Sequence, residues 1–446
     1  MDTPILDFAA HYAASGALRL HMPGHKGQGP LGVEALDITE IPGADSLYQA
    51  QGIIRRSEEN AGALFGAHTF FSAEGSSLCI RAMVALARQR ALAQGRPPLL
   101  LAGRNAHSAF LSAAALLDVE VAWMDPPPGG SYLSCPLDGP GLEARLAAMD
   151  PAPTALYLTS PDYLGHTLPL TDIAQVCRRR GLLLLVDNAH GAYLKFLPRS
   201  GHPMDLGAHM CCDSAHKTLP ALTGGAYLHI ARHAPAELAE GARQALALFG
   251  STSPSYLILQ SLDGVNRYLE AGYASRLAAF LPQVQAVGRA LAEQGWALEG
   301  EEPLKIALAT KSRGWLGLEV GQALAEQGVV CEFADPDFVV FMVTPETGAA
   351  GLDRLVEALG RLPRRAPIVQ GPPPFRRPRR ALSLRQAALS PQRLLPAEQA
   401  LGRILAAPSV GCPPAVPILM CGEVIHQTAL DCFAYYGIQR CWVVDG

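Results

Sequence analysis

Leu182-Leu183-Leu184-Leu185-Val186-Asp187-Asn188-Ala189-His190 sets five aliphatic residues directly before a carboxylate, an amide and, two positions later, an imidazole. An uninterrupted apolar run this short reads as a strand buried on both faces, the kind that fills a largely parallel sheet. The polar residues that follow then fall at the carboxyl edge of that sheet, where α/β proteins bind their ligands. Upstream, residues 170–180 read as a helix, and before it comes a second apolar run at 155–159. Further out, runs at 98–102 and 119–124 and a helix over 81–93 continue the alternation. Strands alternating with helices imply an α/β domain, a mostly parallel sheet covered on both faces.

Beyond this core the pattern changes. Residues 4–14 read as an amphipathic helix, whereas His21-Met22-Pro23-Gly24-His25-Lys26-Gly27 reads as a loop, because Pro and Gly exclude regular structure. A second irregular stretch surrounds Pro42-Gly43. After Gly250, helical patterns at 256–269 and 274–294 give way to a weaker α+β stretch with segments at 329–333 and 338–343. The expected organisation is an N-terminal arm plus large domain over 1–275, a small α+β domain over 276–362, a Pro/Arg-rich linker over 363–390 and a C-terminal segment over 391–446. The linker carries Pro372-Pro373-Pro374 and Arg376-Arg377-Pro378-Arg379-Arg380, read as a solvated charge run.

Composition narrows the function classes. With 49 % apolar and 17 % charged residues, the 446-residue chain packs a large core and does not read as disordered. A formal charge of −4 supplies no general field for nucleic acid or anionic lipid, so neither is expected as a partner. The first fifteen residues lack the basic and apolar regions of a secretory leader, and no apolar run is long enough to span a bilayer, so a cytoplasmic protein is expected. Ten scattered cysteines without a C-x-x-C pair read as reduced, mostly buried thiols. No metal site is expected: His21 and His25 have i, i+4 spacing, but Pro23 and Gly24 between them prevent the helix that would point both rings one way.

Four places supply what a pyridoxal phosphate (PLP) cofactor needs, and each has a plainer reading taken alone. Ser72-Ala73-Glu74-Gly75-Ser76-Ser77 precedes a helix, so free N–H groups, the positive dipole end and two hydroxyls meet where a phosphate can sit; an ordinary N-cap looks the same. Asp187, at a strand's end, can keep a pyridinium nitrogen protonated, and it can equally cap a helix. Ser214-Ala215-His216-Lys217-Thr218, before the turn Thr223-Gly224-Gly225-Ala226, offers an amine able to form an imine with an aldehyde, although most lysines are simply solvated. Arg104-Asn105-Ala106-His107 ends a strand with an imidazole that can lie flat on a ring, or be a surface histidine. The order of phosphate loop, stacking residue, carboxylate and lysine, with Lys217 thirty positions after Asp187, is that of the large domain of fold type I PLP enzymes.

The chain resembles the ornithine/lysine/arginine decarboxylase family in its short form, without an added N-terminal receiver-like domain. The resemblance runs from His21-Met22-Pro23-Gly24-His25-Lys26 and Asp37-Ile38-Thr39-Glu40-Ile41 through Asp187-Asn188-Ala189-His190-Gly191-Ala192 and Ser214-Ala215-His216-Lys217-Thr218-Leu219-Pro220-Ala221-Leu222-Thr223. It continues in Ser253-Pro254-Ser255-Tyr256, Ser261-Leu262-Asp263, Leu401-Gly402-Arg403-Ile404, Pro413-Pro414 and Gly422-Glu423, and so covers nearly the whole chain. It implies a fold type I large domain with a smaller α+β C-terminal domain, and PLP-dependent decarboxylation of a basic amino acid, arginine before lysine or ornithine. It also implies that Lys217 carries PLP covalently, Asp187 pairs with the pyridine nitrogen, and His107 stacks on the ring. Ser76, Ser77, Ser214 and His216 would hold the phosphate, His190 would lie near the phenolic oxygen, and Lys217 or His216 would protonate the product. Glu423 would face the substrate's distal cation, with Glu40 and Asp45 in reserve. A homodimer with a role in polyamine biosynthesis is the further expectation.

Several positions depart from the family pattern: Asn188 where Glu is common, Tyr193 for His, Ser108 for Lys, Asp162-Tyr163-Leu164-Gly165 for a Tyr-Tyr-Gly turn, and Cys412 and Ala415 around Pro413-Pro414. They leave the core machinery in place and bear on substrate choice. Other fold type I chemistry, an aminotransferase or an aldolase, uses the same cofactor site, and a non-catalytic relative would keep the same fold.

Overall fold

Seven strands form the principal sheet: β1 (Ala67–Ser72), β2 (Leu99–Gly103), β3 (Glu120–Met124), β4 (Ala155–Thr159), β5 (Leu183–Asp187), β6 (Met210–Asp213) and β7 (Ala226–Ala231), in the order β1-β7-β6-β5-β4-β2-β3. The computed structural model describes residues 1–127, 129–408 and 416–445, so Cys412, Pro413, Pro414 and Ala415 lie outside the described residues. Strand β5 runs parallel to β6 with Asp187 opposite Cys212, and β2 runs parallel to β3. Strand β7 is antiparallel to both β6 and β1. All five residues of β5 are buried, as a strand covered on both faces requires.

The chain divides into two compact units. The first comprises Met1–Pro97, Thr154–Leu156 and Leu170–Ser275; the second comprises Pro98–Pro153, Tyr157–Pro169 and Arg276–Gly446. In the first unit the helix Ile53–Phe65 is started by Asp45, whose carboxylate accepts from the N–H groups of Gln51, Gly52 and Ile54 at 2.7–3.1 Å. The helix Leu170–Arg180 ends on three arginines, which favour the negative dipole end, and Gly181 follows at φ 65°. The helix Gly75–Ala93 begins six residues earlier than the periodicity predicts, so Ser76 and Ser77 stand inside its first turn. Its start is fixed by contacts that sequence periodicity does not register: Gly75 takes φ 71° and donates its N–H to the Gly224 carbonyl at 2.7 Å.

In the second unit a four-stranded antiparallel sheet is built from β8 (Ala297–Glu299), β9 (Lys305–Ala309), β10 (Phe333–Ala334) and β11 (Phe338–Met342), in the order β10-β11-β9-β8. The C-terminal segment pairs β12 (Gln392–Pro396) with β13 (Arg440–Val444) over a small core that includes Leu405, Leu419, Ile425, Phe433 and Val443. The arginine run between them is exposed but tied down. Arg377 pairs with Asp125, Arg380 makes a fork onto Glu120, and Arg385 donates to the Leu116 carbonyl at a helix end. The nine described cysteines are free thiols, seven of them buried.

Candidate active site

Strands β5 and β6 end side by side, and their end loops carry most of the residues singled out in the first unit. Asp187 closes β5 and is only 3 % exposed; its Oδ1 accepts from the Ala189 N–H at 3.2 Å and from the Cys212 thiol at 3.6 Å. His190, three residues on, presents Nε2 to the Lys217 ammonium nitrogen at 2.9 Å. Lys217 stands on a single helical turn, Ala215–Thr218, and its N–H donates to the Ser214 carbonyl. The Ser214 hydroxyl donates to Ser76 Oγ at 2.8 Å and so joins the lysine turn to the first turn of the helix Gly75–Ala93. His216 donates from Nδ1 to the Gly225 carbonyl at 2.9 Å, which leaves Nε2 as the basic ring nitrogen. Gly224 is required here: it takes φ 98°, and a Cβ on it would lie 3.0 Å from the Ala73 carbonyl oxygen.

The remaining site residues belong to the second unit. His107 follows β2 and caps the helix Ser108–Leu117, its Nδ1 accepting from the Ala109 N–H at 3.1 Å. Glu423 meets a partner that sequence reading passed over. Arg104 donates Nη1 to Oε1 at 2.6 Å and Nη2 to Oε2 at 2.7 Å, with both side chains buried, and the Met420 N–H adds a third donor. This is the planar fork that guanidinium and carboxylate form best. Arg104 also stacks over the Phe375 ring. The reserve acids are arranged otherwise: Asp45 is occupied by backbone N–H groups, and Glu40 accepts from the neighbouring Thr39 hydroxyl on the surface. The loop imidazoles of His21 and His25 reach different partners, the Tyr12 hydroxyl and Asp37.

Sequence reading also missed Asp213, immediately before Ser214. Its carboxylate is fully buried and accepts from Asn188 Nδ2 at 2.7 Å, His202 Nε2 at 2.9 Å and His229 Nε2 at 3.2 Å. Burial pushes its pKa up, but the two imidazoles outweigh burial and hold it well below the ordinary carboxylate range. The signal was present as an acid beside a motif, but partners 11 and 16 residues away are invisible to local pattern.

The donor set fits PLP. A buried carboxylate at a strand end suits a pyridinium, a primary amine suits an aldehyde, and two helix-start serines with Ser214 suit a phosphate. Comparison with known proteins points the same way. The family model for the major domain of Orn/Lys/Arg decarboxylases matches residues 3–299. An arginine decarboxylase of Halalkalibacterium halodurans is 29 % identical, over 96 % of this chain and 92 % of its own length. Among solved structures, the lysine decarboxylase LdcF of Francisella novicida superposes with a TM-score of 0.80 at 16 % identity, covering 99 % of this chain and 81 % of the other. The constitutive lysine decarboxylase of E. coli gives 0.76 at 18 %, covering 100 % and 82 %. The chain belongs to the Orn/Lys/Arg decarboxylase family of PLP-dependent enzymes.

Proposed function

We propose that this enzyme decarboxylates arginine, with lysine and ornithine as poorer substrates, through PLP bound at Lys217. The observation that carries the reading is the Lys217–His190 contact at 2.9 Å beside the buried carboxylate of Asp187, at the ends of two adjacent parallel strands. The preference for arginine draws support from the arginine decarboxylases that match along more than nine-tenths of both chains.

When bound, PLP supplies an aldehyde for covalent capture of an amine and a ring that accepts electrons. Asp187 keeps a proton on the ring nitrogen, which makes that acceptance effective. Ser76 and Ser77 would donate to the phosphate, joined by Ser214 once its hydroxyl turns from Ser76 and by His216 once Nε2 takes up a proton, and the dipole of the helix Gly75–Ala93 would favour its charge. His107, its Nδ1 already engaged by the Ala109 N–H, would offer a ring face for stacking, and His190 would lie near the phenolic oxygen. Lys217 or His216 would deliver the proton that replaces CO2 on the substrate's α-carbon. A guanidinium removed from water needs a carboxylate partner. Glu423 serves as that partner, sharing its oxygens with Arg104.

Two further readings concern setting. The arm exposes Leu18, Leu20, Met22 and Leu31 at 66–84 %, an apolar face that a second copy in a homodimer would cover. No helix among the described residues is long and apolar enough to cross a membrane. The described cysteines, all free thiols, suit a reducing compartment, and the reading is of a cytoplasmic enzyme whose amine product enters polyamine biosynthesis.

The test is CO2 release from arginine, lysine and ornithine with PLP present. Release fastest from arginine is expected. No release from any basic amino acid, with pyridoxamine phosphate accumulating instead, would replace this reading with an aminotransferase. Glu423→Gln is expected to weaken apparent arginine affinity, and an unchanged affinity would remove Glu423 from substrate recognition.

A further inference from the structure

Two turns must keep a fixed spacing for any cofactor to engage Lys217 and Asp187 together, and one buried carboxylate, on the strand that leads into the Lys217 turn, is hydrogen-bonded to the residue after Asp187. In a strand, side chains alternate between faces. Cys212, opposite Asp187 in register, donates to that carboxylate, while Asp213, next along β6, turns to the other face. There Asp213 Oδ1 accepts from Asn188 Nδ2 at 2.7 Å, and Oδ2 accepts from His202 and His229 at 2.9 and 3.2 Å. All four side chains belong to fully buried residues. Asn188 directly follows Asp187, and Asp213 stands four residues before Lys217. The backbone repeats the link, with Asn188 N–H donating to the Cys212 carbonyl at 3.0 Å and Ser214 N–H to the Ala189 carbonyl at 3.3 Å. The amide of Asn188 has room only because Gly191 lacks a side chain: a Cβ there would stand 2.1 Å from Asn188 Oδ1.

The histidines act as donors rather than as spare bases. His202 Nδ1 accepts from the Met204 N–H at 3.3 Å, so its proton is on Nε2, aimed at Asp213. The His229 ring is fixed at its other nitrogen by the Thr69 hydroxyl at 2.8 Å. Three donors therefore meet one carboxylate, the condition under which a buried charge is tolerated. His202, Cys211 and Asp213 also place ligand atoms within 4.8 Å of one another, the spacing of a metal site. The hydrogen-bond pattern accounts for both histidines without an ion, since a ring nitrogen that carries a proton is not a ligand.

We propose that Asp213 is a positioning residue: through Asn188 it holds the Asp187 turn against the Lys217 turn and so sets how tightly PLP is kept. This rests on the assignment of PLP to Lys217 and Asp187. Its consequence lies in cofactor retention and in the electronic state of the bound ring, both of which a residue needed only for folding would leave alone.

The experiment uses the holoenzyme with Asn188→Ala, Asp213→Asn and the double variant. Three quantities are read: the rate of PLP release into a trap, the pH midpoint of the cofactor's visible band, and the melting temperature of the PLP-free chain. Asn188→Ala is expected to speed release about tenfold and to move the midpoint, the loss of one hydrogen bond to a charged group. In the double variant the two losses should be less than multiplicative. A lower melting temperature with release and midpoint unchanged would overturn the proposal and leave Asp213 a core residue. If Asp213→Asn does not fold, Asn188→Ala alone decides, because it leaves the carboxylate and both imidazoles in place. Borohydride reduction and peptide mapping of the parent separate the two levels. A label absent from Lys217 overturns the cofactor assignment and this proposal with it, whereas a label on Lys217 with an indifferent Asn188→Ala overturns only the positioning role. A stoichiometric transition metal in the isolated protein, lost in Cys211→Ser, would also overturn it by making Asp213 a ligand.

Discussion

Asp213, next to Ser214 in the chain, and Glu423 are both buried carboxylates, and they are compensated in opposite ways. Glu423 meets a permanent cation in a two-pronged fork, so the pair is neutral as a unit. Asp213 meets two imidazoles and an amide, so its charge is spread over three separate hydrogen-bond donors. Burial lowers the proton affinity of His229, and Asp213 opposes that without overcoming it. The difference teaches how each region is held: the Asp187 turn is tied to β6, the strand that leads into the Lys217 turn, by a carboxylate shared among donors from three separate stretches of chain, and the C-terminal segment that carries Glu423 is tied down by one planar fork.

The comparison breaks first at its functional end. Lys217→Ala removes the amine while leaving Asp213 and its three donors in place. Turnover is expected to fall on the order of 10^4-fold, the scale of removing a covalent-catalysis residue. The visible band of bound PLP should vanish while the thermal transition of the cofactor-free chain stays put. A retained band would place the covalent link on another residue.

The second break is at Arg104. Arg104→Ala leaves the Glu423 carboxylate buried without its counter-charge, and such losses cost about 3–5 kcal/mol. Urea unfolding of the second unit's signal should shift accordingly. Replacing Arg104 and Glu423 together by Leu should recover most of that loss, because an apolar pair carries no desolvation penalty. If the single and double variants are equally unstable, the fork contributes through packing against Phe375 rather than through charge.

How far the sequence announced these two regions differs in the same way. Strand β5, the helix Leu170–Arg180 and the cluster Asp187, His190, Ser214 and Lys217 were legible, because an apolar run and the polar residues that end it are neighbours in the chain. The start of the helix Gly75–Ala93 was not, since Gly75 is set by a bond to Gly224, 149 residues away. The Arg104–Glu423 fork spans 319 positions, and no local pattern could pair them. The arginines at 377 and 380 read as solvated charge because their acidic partners, Asp125 and Glu120, lie 252 and 260 positions upstream. His202 sits in a Gly-His-Pro stretch that belongs to none of the motifs, and only the fold buries it against Asp213.

The opposite end of β6 sharpens the contrast at smaller scale. His209, just before that strand, is a partly buried histidine with no carboxylate: its Nδ1 accepts from the Leu184 N–H at 2.9 Å, and the His233 ring lies 5.5 Å away. Burial first, and then the positive charge of His233, push its pKa down to about 4. Because the folded value lies below the unfolded value of about 6.5, its contribution to stability is complete above pH 6.5 and is lost as pH falls towards 4. The loss should be of order 2 kcal/mol, read as a drop in the urea midpoint of the PLP-free chain between those pH values. His209→Gln, whose amide oxygen can accept the same N–H, should flatten that part of the profile. An acid limb unchanged in His209→Gln would remove His209 as its source, and the contrast between the two ends of β6 would fail.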